Sequence, residues 1–467
     1  MIPPKSSGRH GLAIENSFTP NCPSTSCPPS APTEPRIFKA HLPETFDPSV
    51  TRPEWAAYAS WLVSAVVIRR YLDKGGDETT FVPLDSRYIE KHISQKVRRP
   101  LLDDLLRAGV LECDGKYNFS KSAEHRLGKC LCYRLGEGHR ESKIRARDIT
   151  HPELKKKMMT AWQVERDGVS GAVHIALRAW HDQVEVLPTA PFGEHPLLDR
   201  MLDGERRFTI CRQGRVHTNV ANLPRQYRQF LRLGGRELVS CDISTSQPLL
   251  LAILLQKKRE EVEGCGVASP KALFSTHYAD CLTNYLDDCL DGSIYDRIVG
   301  LTDYSRDEVK SRFLAVIYGH PGDMRTKVGL AVEQLYPAVF AAVATLNRQL
   351  GHGGLPRLMQ TMESGVMIGR VAARLLREHP LMPLLTVHDS VLVPEEYAAN
   401  AQCVIAEEWV AEFGVEPRVK TSLFMEAQTA RKTPKRKKRR RWGRRQGPCG
   451  TKFRGSNGPN PGPAFRD

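Results

Sequence analysis

The sequence predicts an α+β fold in two or three domains, and three features support this prediction. With 467 residues the chain is too long for a single compact core. Its apolar fraction of 40% is enough to bury the cores of several domains. Short apolar strands that end at acidic residues are combined with longer segments whose apolar residues recur at the helical period.

The two ends of the chain differ from the rest in composition. Residues 1–37 are rich in Pro and Ser and have little apolar pattern, so we predict a disordered leader. Residues 426–467 hold 14 Lys and Arg against 2 acidic residues, which accounts for most of the net charge of +15. A block of like charges does not fold alone, so we predict a disordered basic tail.

The basic tail is predicted to bind nucleic acid without sequence preference, because clustered cations release counterions from a phosphate backbone. A nuclear-localisation address and a merely solubilising tail are the alternatives. The predicted nucleic-acid-binding residues of the tail are Lys435, Arg436, Lys437, Lys438, Arg439, Arg440 and Arg441.

Cysteine spacing and hydropathy predict the compartment. The twelve cysteines include no CxxC pair, which favours reduced thiols over a zinc site. The most apolar run, residues 55–68, is shorter than the roughly 20 residues of a membrane span. We therefore expect a cytoplasmic, nucleoid-associated protein without a membrane partner. A nuclear location is the alternative if the basic tail is a nuclear-localisation signal.

Residues 48–136 resemble a winged helix-turn-helix domain. A short helix and a turn precede a second helix that ends at Gly109, where glycine suits a left-handed cap. Asp114 and Gly115 then mark a β-hairpin whose second strand is predicted at residues 116–119. In such a domain Lys96, Arg98 and Arg99 would contact DNA phosphates. The alternative is a packing module whose basic residues form a solvated helix face.

Residues 137–213 have mostly helical patterns and contain no recognisable chemical motif. We predict a helical connector or a thumb-like region.

The main feature of residues 237–255 is an aspartate at the end of a predicted strand. Asp242 follows a short apolar strand and precedes a Ser/Thr run, after which Pro248 lies in the first turn of a helix. Rigid backbone at such a corner can hold a carboxylate in place for a divalent cation. A capping or turn role is the alternative for this aspartate.

A helix is predicted within residues 304–321. Arg306, Lys310, Leu314 and Tyr318 recur at intervals of four, so neighbouring members share one helix face. Two cations, an apolar residue and an aromatic ring in this order can bind a triphosphate and pack against a base and sugar. The alternative is a surface helix whose cations are solvated.

A second acid lies between two apolar strands in residues 382–396. Asp389 follows His388 at the turn, and an uncompensated carboxylate is costly in apolar surroundings. With Asp242 on an adjacent strand it would form a site for two Mg²⁺ ions, which serve phosphoryl transfer. Lys310 could then protonate the departing pyrophosphate.

These stretches resemble motifs A, B and C of the family A DNA polymerases and the related single-subunit RNA polymerases. The resemblance spans residues 214–424. It rests on LVSCDISTSQPLLLAIL, on Arg306, Lys310, Tyr318 and Gly319 at the spacing R-x3-K-x7-YG, and on VHDSVLV.

The resemblance implies a right-hand polymerase with an antiparallel palm sheet and helical fingers in residues 214–425. It implies a DNA-directed DNA polymerase that extends a DNA primer on a template with dNTP. Because the winged-helix-like and helical regions take up the segment before the palm, we expect no proofreading exonuclease. Asp242, Asp389 and Lys310 would be catalytic, and Arg306, Lys310, Leu314, Tyr318 and Gln247 would bind the nucleotide. Between motifs B and C, Glu363 lies where the family often has polar residues near the primer terminus.

Three positions depart from the DNA polymerase pattern. Gln247 stands where the family usually has a Glu that excludes the ribose 2'-hydroxyl, Leu314 replaces an aromatic residue, and Ser390 completes HDS instead of HDE. These departures leave rNTP as a possible substrate and keep two alternatives open. One is a single-subunit RNA polymerase or primase-like activity, and the other is a catalytically altered DNA-binding replication initiator or regulatory scaffold.

Overall fold

The chain has a mixed α+β fold in a computed structural model that describes residues 37–72, 77–115, 130–264, 276–319, 323–351 and 353–424. The predicted leader up to residue 36, the second strand of the predicted hairpin and the basic tail with residues 435–441 lie outside these ranges. Among the described residues the sheets are small and antiparallel, and helices make up most of the regular structure.

The first part of the chain forms its own hydrophobic core, built mainly around the helix Ala56–Leu72. Its strands are β1 Lys39–Pro43, β2 Val82–Pro83, β3 Leu111–Cys113, β4 Cys132–Leu135 and β5 Ile144–Asp148. Its helices are α1 Ala56–Leu72, α2 Ser86–Glu90, α3 Gln95–Arg107, α4 Glu137–Arg140 and α5 Pro152–Asp167.

Local sequence explains the helix ends in this part. The Asp85 carboxylate accepts a hydrogen bond from the Arg87 backbone N–H at 2.8 Å and thereby caps α2. Gly109 adopts a φ of +69° just after α3, as the sequence predicts. Within the described residues, β3 pairs with β4 and β4 also pairs with β2. The strands β1 and β5 pair with each other, so residues on both sides of the predicted 48–136 region join this part.

The second part of the chain has a larger hydrophobic core. Its helices are α6 Ala172–Asp182, α7 Pro196–Leu202, α8 Asn219–Asn222, α9 Arg225–Arg228, α10 Ser246–Gly264, α11 Thr276–Asp291, α12 Ile294–Val299, α13 Arg306–Ile317, α14 Lys327–Leu335, α15 Pro337–Leu350, α16 Gly354–Val366, α17 Ala373–Glu378 and α18 Ala398–Phe413. A π-helical stretch, Met367–Ala372, joins α16 to α17.

The strands of the second part are β6 Val184–Val186, β7 Phe208–Ile210, β8 Val216–Thr218, β9 Leu231–Leu233, β10 Leu238–Ile243, β11 Leu385–Val387, β12 Ser390–Pro394 and β13 Val419–Leu423. Residues 137–213, predicted to be mostly helical, contain the helices α5 and α6 but also the strands β5, β6 and β7. These strands are too short to produce a periodic pattern in the sequence.

A four-stranded antiparallel sheet, in the order β11-β12-β10-β13, carries the acidic strand ends. β10 is central and almost entirely buried, which its apolar sequence explains. The helices α10, α16 and α18 pack against this part of the core. The sheet therefore gives rigid support to the side chains at the ends of β10 and β12.

Helix lengths bear on membrane insertion. Within the described ranges, no single helix is long and apolar enough to cross a bilayer, and the pair α14 and α15, which reaches that length only together, is bent by 119°.

Candidate functional site

Two aspartates from distant stretches meet at one end of the four-stranded sheet. β10 and β12 pair antiparallel with Asp242 opposite Ser390, the residue that follows Asp389. The backbone N–H of Ile243 donates a hydrogen bond to the Asp389 carbonyl at 3.3 Å. The sequence expectation that these acids lie on adjacent strands agrees with this register.

The backbone beside each aspartate is strained. Thr245, three residues after Asp242, has a φ of +56°, and His388, directly before Asp389, has a φ of +55°. They are the only non-glycine residues with positive φ in the described part of the chain. The Thr245 hydroxyl donates to the Cys289 carbonyl at 2.5 Å and helps hold its turn. Such strain persists where the surrounding structure fixes it and often accompanies a functional site.

The two carboxylates disfavour each other's charge. Burial, followed by repulsion from Asp389, raises the pKa of Asp242 to about 7, against a smaller opposing effect of Lys310. Burial also raises the pKa of Asp389, and the positive charge of Lys310 again opposes the increase. Both residues keep part of their surface accessible to solvent. A cationic ligand at this accessible pair would therefore stabilise the ionised form of both carboxylates.

Helix α13 brings the predicted nucleotide-binding residues toward this pair. A capping box between Ser305 and Glu308 starts the helix, and Tyr318 forms its C-cap. Gly319 then has a φ of +74°, and a Cβ on it would lie 1.9 Å from the Asn347 amide. Only glycine fits this close approach without movement of the neighbouring side chain.

The members of the α13 face differ in their surroundings. Lys310 is exposed, and its charge acts on both Asp242 and Asp389. Leu314 and Tyr318 are half-buried against the core. Arg306 is half-exposed, and its guanidinium pairs with Asp296 at 2.9 Å.

Sequence reasoning missed a buried ion pair next to the aspartates. Glu363, on α16, is only 1% exposed, and Arg215 donates to its Oε2 at 2.7 Å. Burial, followed by repulsion from Asp389, raises the pKa of Glu363 to about 7. No pattern in the sequence singles out Arg215. The resemblance to the polymerase motifs indicates Glu363 as a polar residue near the primer terminus, but not its pairing with Arg215.

Gln247 connects the ion pair to the α13 face. Its amide nitrogen donates to Glu363 Oε2, and its amide oxygen lies 3.4 Å from the Tyr318 hydroxyl. Gln247 and Tyr318, both predicted to bind the nucleotide, are therefore neighbours.

The basic residues predicted in the first part of the chain separate into two groups. Arg98 is buried and pairs with Glu90 at 2.8 Å, so it stabilises α3 and is not presented to a phosphate. Its position on the inner helix face, beside the buried Leu101, explains this difference from the expectation. Arg99 and Lys96 are exposed.

The carboxylate oxygens at this end of the sheet suit a hard cation such as Mg²⁺. Among the described residues, no group of three or more His, Cys, Asp and Glu side chains is arranged to hold a metal ion. Asp242 and Asp389 nevertheless supply carboxylate oxygens, which Mg²⁺ prefers, and Mg²⁺ completes its shell with water and substrate phosphates. Glu363 is already neutralised by Arg215. The two aspartates thus fit Mg²⁺ shared with a bound ligand.

Comparison of the chain with protein-family models and with curated proteins returns no match.

Proposed function

We propose that this chain is a template-directed nucleotidyltransferase of the family A polymerase type that extends a primer on a DNA template. The convergence of three separate stretches supports this function above all. Asp242, Asp389 and Lys310 come from β10, the turn before β12 and α13, and they form one electrostatic cluster. Perturbed carboxylates next to a lysine on rigid elements are typical of catalytic sites.

The two aspartates would hold the metal in this proposal. When bound by Asp242 and Asp389, Mg²⁺ supplies positive charge that activates a 3'-hydroxyl and stabilises the charge developing on the transferred phosphoryl group. The two aspartates repel each other when both are ionised. A divalent cation bound between them would remove this repulsion and stabilise their ionised form.

The α13 face would bind the nucleoside triphosphate. The 3'-hydroxyl oxygen attacks the α-phosphorus, and the bond from that phosphorus to the pyrophosphate oxygen breaks. Lys310, exposed and close to both aspartates, is placed to neutralise the leaving pyrophosphate and to give it a proton. Leu314 and Tyr318 offer an apolar and aromatic surface for the base and sugar, and Arg306 offers a second cation once it leaves Asp296.

Other parts of the chain would hold the nucleic acid. In this proposal the sheet β11-β12-β10-β13 serves as a palm and α13 as a fingers helix. The helices α2 and α3 with strands β3 and β4 act as a winged-helix-like module that offers Lys96 and Arg99 to phosphates. The basic tail adds affinity that falls steeply with salt.

The test is extension of a primed DNA template with labelled dNTP or rNTP in the presence of Mg²⁺. We expect the wild-type chain to extend the primer and Asp242→Ala or Asp389→Ala to lower the rate at least about 1,000-fold while DNA binding persists. Asp303→Ala is the matched control, because the Asp303 side chain is 84% exposed and pairs with Lys327 on the surface. Undiminished extension by either site variant would refute the metal assignment. DNA binding by the wild type without any incorporation would favour the scaffold alternative.

A further inference from the structure

The turn between β10 and α10 is connected to the C-terminus of α11. The Thr245 hydroxyl donates a hydrogen bond to the Cys289 carbonyl at 2.5 Å, and Cys289 lies in the last turn of α11. The same hydroxyl is 2.5 Å from the Ser244 carbonyl, so it lies between the turn itself and α11. The last four carbonyls of a helix have no partner within it, and a donor from outside the helix satisfies this one. The turn that follows Asp242 is therefore attached to a helix whose contacting residue lies 44 positions beyond Thr245.

Arg418 makes a second connection between the same elements. The backbone N–H of Ser244 donates to the Arg418 carbonyl at 2.9 Å, which continues the pairing of β10 with β13 beyond Ile243 and Val419. The Arg418 guanidinium donates to the Asp291 carbonyl at 2.8 Å, and this carbonyl is also one of the last four of α11. A cation is favoured there because the partial charge of a helix is negative at its C-terminus. One residue thus binds both the turn and α11.

These connections fix the backbone that carries Asp242. The N–H of Ile243 donates to the Asp389 carbonyl, and the turn directly after Ile243 is held by α11 and by the residue before β13. Thr245 has a φ of +56°, which a β-branched residue adopts only where its surroundings enforce it. The hydroxyl contact with α11 is one such enforcing interaction. The position of the Asp242 carboxylate therefore depends on residues that supply no carboxylate oxygen themselves.

We propose that Thr245 and Arg418 are positioning residues that hold Asp242 in the geometry needed to bind Mg²⁺ beside Asp389. This inference rests on the metal site of the proposed function and names further residues on which that site depends. Residues that orient metal ligands without touching the metal commonly contribute about 10- to 100-fold to metal affinity or activity. The connection also joins the metal site to the segment that leads into α12 and α13, because α11 ends shortly before α12 begins.

The test measures Mg²⁺ binding by titration calorimetry at pH 8, with no nucleotide or DNA present. Thr245→Val keeps the β-branched shape but removes the hydroxyl, and we expect it to raise the dissociation constant of Mg²⁺ about tenfold. Thr245→Ser keeps the hydroxyl and should bind Mg²⁺ nearly as well as the wild type. Thr283→Val is the matched control and should change nothing, because Thr283 is exposed on α11 and its hydroxyl donates to the Ala279 carbonyl within that helix. Asp242→Asn identifies the part of the signal that belongs to this site.

Two more variants separate the hydroxyl contact from backbone strain and from charge. Thr245→Gly adopts a positive φ without strain but lacks the hydroxyl, so we expect it to lose as much Mg²⁺ affinity as Thr245→Val. Arg418→Ala removes a positive charge, which by itself would strengthen the binding of a cation. We nevertheless expect binding about threefold weaker, the range for one exposed hydrogen bond, because the connection to α11 is lost. Arg348→Ala, which removes an exposed arginine from α15, is the matched control for charge.

Primer extension and thermal unfolding complete the test. About tenfold more Mg²⁺ should restore the extension rate of Thr245→Val toward that of the wild type, since this variant loses affinity for the cation and keeps the catalytic groups. Thermal unfolding with chelator establishes which variants are folded. If Thr245→Val is unfolded, Thr245→Gly and Arg418→Ala decide the question.

The outcomes distinguish this inference from the proposed function. Wild-type Mg²⁺ affinity in Thr245→Gly would overturn the role of the Thr245 hydroxyl, and unchanged or stronger binding by Arg418→Ala would overturn that of Arg418. In both cases the proposed function stands if the wild type extends a primer. A wild type that binds Mg²⁺ but extends no primer would overturn the proposed function, and the affinities of the variants would still decide whether these residues position Asp242. A wild type that binds no Mg²⁺ would overturn both.

Discussion

Two carboxylates of the first part and three at one end of the four-stranded sheet have pKa values shifted in opposite directions. In the first part, hydrogen bonds from Arg87 lower the pKa of Asp85 to about 2. Although burial alone would raise it, Arg134 and Arg140 lower the pKa of Glu112. In the second part, burial raises the pKa values of Asp242 and Glu363 to about 7, and Asp389 shifts in the same direction.

The difference shows which acids serve the fold. Asp85 and Glu112 of the first part have pKa values below their usual range and are paired with arginines, so their negative charge is compatible with stability. Asp242 and Asp389 lie close enough to repel each other, and the backbone of the nearby residues Thr245 and His388 is strained. Electrostatic repulsion and backbone strain that are confined to one site on a rigid sheet are expected where a ligand supplies positive charge.

The largest effect on stability is expected when the arginine partner of a buried acid is removed, and one arginine from each part provides the comparison. Arg215→Ala leaves Glu363 buried without its cation, so the free energy of unfolding should fall by about 3 kcal/mol at pH 8. Arg134→Ala is the matched control, because Glu112 is 34% exposed and keeps Arg140, and should cost less than about 1 kcal/mol. Urea denaturation measures both. Equal losses would contradict the contrast between the two parts.

The pH dependence of stability should have opposite signs in the two parts. Asp242 has a folded-state pKa of about 7 and a normal value of 3.8, so the folded state holds the extra proton and stability falls as pH rises through this window. In metal-free buffer at pH 8, Asp242→Asn should therefore be more stable than the wild type, and the difference should shrink as pH falls from 7 and disappear below 3.8.

Asp85→Asn should show the reverse. The folded-state pKa of Asp85 is lowered to about 2, so its contribution is present above its normal pKa and is lost as pH falls toward 2. The variant should be less stable than the wild type at pH 8, with the gap closing in acid. Denaturation at a series of pH values measures the free energy of unfolding of both variants and of the wild type. If the differences from the wild type change in the same direction with pH for both variants, the predicted contrast between Asp242 and Asp85 is wrong.

The smallest expected effect is the response to Mg²⁺. At pH 8 and a concentration of ten times its dissociation constant, Mg²⁺ should stabilise the wild type by about 1.4 kcal/mol, because it binds only the folded state. Asp242→Asn should lose this increase, whereas the surface variant Asp303→Asn should keep it. Thermal unfolding with Mg²⁺ or with chelator measures the shift. Equal shifts in all three proteins would exclude the sheet edge as the metal site.

Much of the local structure could be predicted from the sequence. The strand and helix around Asp242, the helix that starts at Arg306, and the two strands around Asp389 lie where their apolar periods and turn residues indicate. Local signals suffice here because each element is long or strongly patterned. The strands β5, β6 and β7 were not predictable in this way, since a three- to five-residue strand has no period to detect.

Spacing along the chain determined which residue types are available for chemistry: two acids at strand ends, and a lysine and tyrosine on one helix face. Only the tertiary structure decided their partners. It placed Arg98 inside and left Arg99 outside, although both lie on one helix. It also brought Glu363 into contact with Arg215 and Gln247, which precede it by 148 and 116 residues. A sequence pattern records the periodicity of one element, whereas burial and ion pairing depend on how separate elements pack, and no local period encodes that.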